Sequence, residues 1–299
     1  MASGTPPLAA EPTVGPDLAP AGVWLVDKPP GPTSHDVVAA VRRRLGRRVR
    51  VGHAGTLDPF ATGLLVVLVG RATRLAPYLS ELDKRYLATV RLGAVSATGD
   101  PEGPIEERGP LPAPEAVREA LPGFVGRQRQ RVPRFAAARV GGERMHRLAR
   151  RGADFEAPER EIVISRLELV DADPDGRWVQ LDVGCSKGTY IRQLAIDLGE
   201  RLGCGAYCSA LRRTAVGHLS LEAGVLPEDV DWGEGIGPRA ALAHLPARSL
   251  TAHEAAEVAH GRTVPGEGDG PTALLVDGRL VAVARPAAEG RLQPSVVIG

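Results

Sequence analysis

Apolar and polar positions change period along the chain, and each change predicts an element. Gly22-Val23-Trp24-Leu25-Val26-Asp27 reads as a short strand, followed by a rigid turn over Lys28-Pro29-Pro30-Gly31-Pro32. From Asp36 to Leu45, Val37, Val38, Val41 and Leu45 recur on one helical face, and Thr33 and Ser34 are placed to cap it. Gly63 to Gly70 is an unbroken apolar run rich in Val and Leu. It is too short for a buried helix, so it predicts a fully buried strand. Arg71 to Leu82 has helical spacing, with Leu75, Leu79 and Leu82 inward, and residues 84–93 read as a strand. Thr98 to Gly103 is a turn, 104–114 a Pro-rich connector, and Glu115 to Leu121 opens another helix. Residues 162–170 and 178–185 look like a strand pair. Ile191, Leu194, Ala195 and Leu198 then share a helical face that Thr189 is placed to cap.

Beyond residue 230 the character changes. Residues 231–247 are a linker rich in Gly, Pro and Ala. A short helix over 251–260 precedes strands at 272–276 and 280–284 around an Asp277-Gly278 hairpin turn, with a further strand near 293–298. Residues 1–20 are Ala, Pro and Gly with little to form a core, and are expected to be disordered. A chain of 299 residues suits one large domain over 21–230 and a small one over 248–299.

The net charge of +1 hides a local concentration of arginine. Arg42, Arg43, Arg44, Arg47, Arg48 and Arg50 form one cluster. Arg127, Arg129, Arg131, Arg134, Arg139, Arg144, Arg147, Arg150 and Arg151 form another. Near-neutral total charge therefore does not exclude nucleic acid, although arginines late in a helix also suit its dipole. No apolar run approaches the ~20 residues of a membrane span, and the N-terminus lacks the pattern of a secretory signal. Cys185, Cys204 and Cys208 are too few and too odd in number for a disulfide framework. They are expected to be small buried residues in a reducing cytosol rather than metal ligands with His218. No P-loop, dinucleotide fingerprint or metal-ligand cluster occurs, so no cofactor is expected.

The candidate chemistry lies just before the buried strand. Gly52, Gly55 and Gly63 permit unusual backbone angles, and Pro59 drives Asp58 out of helical geometry. The result is a tight loop carrying one imidazole, His53, and one carboxylate, Asp58. Asp-Pro is also a frequent turn pair, and by itself Asp58 would more often be a turn former than a catalyst.

The longer string changes that balance. Gly52-His53-Ala54-Gly55-Thr56-Leu57-Asp58-Pro59, followed by Ala61-Thr62-Gly63-Leu64-Leu65, resembles the signature of the TruB family of tRNA pseudouridine synthases. Asp27-Lys28-Pro29, Gly31-Pro32-Thr33-Ser34-His35-Asp36, Ser186-Lys187-Gly188-Thr189-Tyr190-Ile191-Arg192 and Leu211-Arg212-Arg213-Thr214 are similar to further stretches of that family. The resemblance implies an α+β pseudouridine synthase fold: a mixed, largely antiparallel central sheet flanked by helices, plus a small β-rich, PUA-like C-terminal domain. It implies Asp58 as the catalytic residue, with Arg192 pairing with it and Tyr86 beside the target base. Tyr190 and Leu211 would wall the pocket and Lys28 would contact substrate. His53 would fill the space left when uridine 55 of the TΨC arm of tRNA flips out. Residues 127–152 would be a basic insertion gripping RNA through Arg139, Arg147, Arg150 and Arg151. Here the chain departs from the family: Val132-Pro133-Arg134-Phe135 lacks the usual tyrosine and serine, and Arg139 stands where a lysine is usual. The implied enzyme is a cytoplasmic monomer acting on tRNA, with no membrane partner.

Isomerising uridine to pseudouridine breaks a glycosidic C–N bond and rejoins the base through carbon, with no redox change. An ionised Asp58 would act as a nucleophile on sugar or base, or as a base toward a ribose proton. Arg192 would oppose its protonation in an apolar pocket and offer a bidentate partner. Two rival readings are a catalytically silent RNA-binding module and a hydrolase with an aspartate nucleophile. The intact Asp58 and Arg192 oppose the first, and the lack of a partnering carboxylate or histidine motif opposes the second.

Overall fold

A computed structural model describes residues 21–233 and 235–299. The tail expected to be disordered, 1–20, lies outside the described residues. The main sheet comprises β1 (Gly22–Lys28), β2 (Val51–His53), β3 (Thr62–Val69), β4 (Lys84–Leu92), β5 (Gly126–Arg131), β6 (Glu159–Ala172), β7 (Trp178–Cys185), β8 (Ala206–Val216) and β9 (Leu219–Ser220). Their order is β1-β3-β8-β4-β7-β6-β5, with β2 added to β3 and β9 to β8. Every pairing is antiparallel except β3 with β8, which run parallel over only Thr62–Gly63 and Arg212–Arg213. The sheet is thus mixed and largely antiparallel.

β3 explains its own unbroken apolar run, because both of its faces are covered. Leu65, Val67 and Val69 pack with Val37, Val38, Val41 and Leu45 of helix α1 (Ser34–Leu45). Leu64, Val66 and Leu68 pack on the opposite side with Ala273, Leu280, Val283 and Ile298 of the C-terminal sheet. That sheet has five strands, in the order Ala247–Ser249, Thr272–Val276, Arg279–Ala287, Arg291–Val297 and Val264–Pro265. Its hairpin turns at Asp277 (φ 49°) and Gly278 (φ 74°), the left-handed pair a tight two-residue turn requires. The two sheets share a core, and the C-terminal sheet is tied to the helical segment that follows β3 by Tyr78 Oη to Ser295 Oγ at 2.8 Å and by Arg74 Nη1 donating to Val297 O at 2.9 Å. A third core joins β4, β6 and β7 to helix α2 (Ile191–Arg201).

Along its other edge β3 is shared: β8 pairs at its start and β2 at its end, from Val67 to Val69. Between them the sheet is split, and two groups fill the gap. Arg213 Nε donates to Leu64 O at 2.7 Å, and Ala54 N–H donates to Val66 O at 2.9 Å.

Several local expectations are corrected. Residues 71–82 are not one helix. A 3₁₀ segment, Gly70–Leu75, gives way to a short α-helix, Ala76–Ser80. Pro77 has no N–H to continue the ladder, and its ring crowds the carbonyl four residues back. Thr189 does not cap α2; its hydroxyl closes a turn onto Ser186 O, and Tyr190 occupies the N-cap. The linker is packed, with Ile236 bridging to Val23 and Pro238–Ala241 forming a helical turn. The connector contains a strand, Ile105–Glu107, paired with Ala94–Ser96. Within the basic segment, Gly126–Arg131 is the edge strand β5 of the main sheet. Among the described residues no helix is long and apolar enough to cross a membrane.

Gly63 sits at the split with φ 95°, and a Cβ there would lie 2.3 Å from the backbone oxygen of Arg213. Gly63→Ala is therefore expected to destabilise the fold by at least about 2 kcal/mol. Chemical denaturation of purified variant and parent measures this.

Candidate active site

The loop from Ala54 to Ala61 has no regular ladder, so its carbonyls need other donors. Three buried polar side chains supply most of them. Arg213, on β8, donates Nη2 to Gly55 O (3.1 Å) and Nη1 to Thr56 O (3.4 Å). Ser34, at the start of α1, accepts from Leu57 N–H at 2.8 Å and donates to Leu57 O at 3.0 Å. Lys28, at the end of β1, donates to Pro29 O (2.9 Å), Pro59 O (3.0 Å) and Ala61 O (2.6 Å). Asp58 O accepts from Ala61 N–H at 3.1 Å, closing a turn through Pro59.

Lys28 is fully buried. Desolvation lowers its pKa to about 8, with Asp58 opposing. All three of its donors are taken by backbone, which corrects the expectation that it contacts substrate. It holds the loop from beneath. Thr33 is the helix cap, in a reciprocal capping box with Asp36, which frees Ser34 for Leu57. Asp27 is spent on Arg212, with Oδ2 and Nη2 2.7 Å apart.

The loop presents Asp58 at a cavity of about 300 Å³, lined also by Thr56, Leu57, Lys84, Tyr86, Ala136, Tyr190, Arg192, Leu211 and Arg213. The Asp58 side chain keeps 37% of its accessible surface, whereas that of Arg192 keeps 5%. Arg192 Nε lies 2.9 Å from Asp58 Oδ2. Its hydrogen is not aligned for a hydrogen bond, so the contact is an ion pair by distance only. The expected bidentate fork onto Asp58 is not formed. Arg192 Nη1 instead reaches Asp100 Oδ2 (3.0 Å) and Thr98 O (2.9 Å), and Nη2 donates to Phe135 O (3.0 Å). One guanidinium thus bridges two carboxylates and two segments of backbone. Desolvation raises the Asp58 pKa above the ordinary carboxylate value, Arg192 opposes this most strongly, and Asp100 adds to the rise.

Tyr86, on β4, is buried, and enclosure raises its pKa with Arg213 opposing. Its hydroxyl therefore stays protonated at neutral pH. Tyr190 is held through its backbone, which Gln130 of β5 clamps at both N–H (2.8 Å) and C=O (3.0 Å). Leu211 closes the wall from β8. His53 ends β2 and does not line the cavity; its buried Nδ1 has no hydrogen-bond partner among the described residues. Desolvation, then the charge of Arg213, lowers its pKa and keeps it neutral.

Arg139, Arg147, Arg150 and Arg151 are exposed, on a two-residue hairpin strand and on or just beyond the short helix Met145–Arg150. Arg151 pairs with Glu143 at 2.9 Å. Arg127, Arg129 and Arg134 face Glu161, Glu159 and Asp154. Three site residues escaped the sequence reading. Asp100 precedes a proline and is indistinguishable there from a turn former. Lys84 begins a strand; burial lowers its pKa to about 8, with Arg213 adding to the effect. Arg213 lies inside a recognised string, yet nothing in the string marks it as the loop's main donor.

The sequence profile described as "TruB family pseudouridylate synthase (N terminal domain)" matches residues 42–191, and "tRNA pseudouridylate synthase B C-terminal domain" matches 192–231. A tRNA pseudouridine synthase B of Synechococcus sp. (strain WH7803) is 45% identical over 295 residues, covering 93% of this chain and 98% of that protein. That of Thermobifida fusca (strain YX) is 45% identical over 292 residues, covering 92% and 98%. Among solved structures, a Cbf5-Nop10-Gar1 complex contains a chain similar with TM-score 0.73 and 26% identity, over 97% of this chain and 91% of that one. A structure of an H/ACA RNP bound to a substrate RNA containing 2'-deoxyuridine gives TM-score 0.71 and 25% identity, over 97% and 92%.

The two charged neighbours of Asp58, Arg192 and Asp100, are expected to move its titration in opposite directions. Arg192→Met removes the cation that favours the carboxylate, so the Asp58 pKa should rise further. Asp100→Asn removes a negative neighbour and releases positive charge toward Asp58, so it should fall. Carbon-13 NMR of the carboxyl in the free protein follows both shifts.

Proposed function

The chain belongs to the TruB family of tRNA pseudouridine synthases, and on that premise we propose that it isomerises uridine 55 in the TΨC arm of tRNA with Asp58 as the catalytic carboxylate. The observation that carries this reading is Asp58 itself, fixed on a rigid loop, paired with Arg192 and opening on a cavity walled by Tyr86, Tyr190 and Leu211. The cavity is at the small end of ligand pockets, which suits a single extruded nucleotide. Flipping the base costs a few kcal/mol. The unpartnered Nδ1 of His53 supports a role in taking the place the base vacates.

In the proposed reaction the C1′–N1 bond of uridine breaks and a C1′–C5 bond forms. The C5 proton leaves and N1 gains a proton, so nothing is oxidised or reduced. Asp58 attacks the sugar or the base, or removes a ribose proton, and every route needs its ionised form. Arg192 keeps that form accessible despite the desolvation of the site. Tyr86 stacks on the detached base. Arg139, Arg147, Arg150 and Arg151 bind RNA phosphates. The C-terminal sheet, residues 248–299, extends the RNA-binding surface of a catalytic domain spanning 21–230. The same reading has it act as a monomer, in the cytoplasm and without a cofactor.

Tritium release from RNA labelled at C5 of uridine reads the reaction directly. Asp58→Asn keeps shape and loses charge, so release should fall by at least about 10²–10⁴-fold while RNA affinity is kept. A transcript with cytidine at position 55 should release nothing. Release that persists on it would move the target elsewhere, and comparable release by the variant would remove Asp58 from catalysis.

A further inference from the structure

The two arginine clusters differ in what surrounds them. In the 127–151 cluster, Arg127, Arg129, Arg134 and Arg151 each face a carboxylate. Among the described residues none of the six arginines from Arg42 to Arg50 forms an ion pair. Three of those six are gathered by the fold into one place. The end of α1 and the start of β2 enclose a groove of about 380 Å³, walled by Arg42, Arg47 and Arg50 with Thr73 opposite. Arg42 is half-buried and braces the groove by donating Nη2 to Val51 O at 3.4 Å, while Arg47 and Arg50 are exposed. Along the chain the groove adjoins the candidate active site. Gly52 lines the groove and Gly55 lines the Asp58 cavity. Only His53 and Ala54 lie between.

We infer that this groove is a phosphate-binding channel for the RNA backbone immediately beside the flipped nucleotide. The inference rests on RNA being the substrate and adds the path the strand takes. Arg42 sits in the last turn of α1, and Arg47 and Arg50 lie in the short turn that leads into β2; with no carboxylate facing them among the described residues, all three keep donors for phosphate oxygens. A strand laid along β2 passes His53 between the groove and the cavity, so one run of RNA reaches both. The groove carries no base-reading geometry of its own. Its contribution is affinity and registration, which makes it sensitive to salt.

The test uses the full chain and two double variants of equal charge. Arg47→Gln/Arg50→Gln removes exposed groove arginines, and Arg43→Gln/Arg48→Gln removes two exposed arginines outside it. Affinity for full-length tRNA and for a TΨC stem-loop is measured across salt concentrations, with single-turnover tritium release at saturating RNA. For the groove pair, the log–log salt slope should flatten by about two on both RNAs, one for each phosphate that is no longer neutralised. The control pair should change it by less than half as much. Single-turnover release by the control pair should stay within about twofold, so a failed proposal leaves the Asp58 chemistry measurable. Equal flattening by both pairs would reduce the groove to a diffuse field. An unchanged slope, or a loss confined to full-length tRNA, would overturn the assignment.

Discussion

The site depends on one constraint: an irregular loop cannot be buried beside a core strand unless its carbonyls are satisfied. Between Gly55 and Ala61 that work falls on Arg213, Ser34 and Lys28, each from a different element. Two of the three are cations with almost no exposure. Burying a charge is expensive unless its donors are used, and here the Lys28 donors all reach carbonyl oxygens and the Arg213 donors reach three. The loop and the cations therefore stabilise each other. The split in the main sheet makes room for this arrangement, and Arg213 serves both, bonding Leu64 O in the gap and the loop carbonyls beyond it.

A loop held this firmly fixes where Asp58 points, and its electrostatic state follows from what the surrounding elements deliver. The apolar walls favour the neutral acid, and Arg192 favours the carboxylate. Arg192 is not a private partner of Asp58, however. Its remaining donors tie the 98–100 turn and the Phe135 carbonyl to the start of α2. Packing around the site and the charge on Asp58 are thus coupled through one side chain. This also explains why Arg192, which lies off the apolar face of α2 in the sequence, is nonetheless buried.

The major strands and α1 were legible because periodicity and bracketing glycines report burial directly, whereas the sheet class came through the resemblance. The Asp277-Gly278 turn was legible because few residues tolerate two left-handed positions in succession. Asp58 and the cavity residues Tyr86, Tyr190, Arg192 and Leu211 were legible only through the resemblance, since each has a commoner structural use. What the sequence hid were contacts between distant segments. Nothing local distinguishes Asp100-Pro101 from a turn, or shows that the Lys28 ammonium turns under the loop rather than into the cavity. The interruption of the 71–82 helix was visible in Pro77, but the leucine spacing outweighed it.

β3 also settles how the C-terminal sheet relates to the rest. A strand in an antiparallel surrounding needs cover on only one face, and would then alternate. β3 does not alternate, because Leu64, Val66 and Leu68 are buried in a core that also holds Leu75, Leu79, Ala273, Val283 and Ile298, while Leu65, Val67 and Val69 are buried in the core formed with α1. Each of these leucines and valines contributes roughly 1.5–3 kcal/mol when fully buried. The C-terminal sheet therefore supports the same strand that Arg213 braces at Leu64. The core that holds the C-terminal sheet and the brace on the Asp58 loop thus meet on one strand.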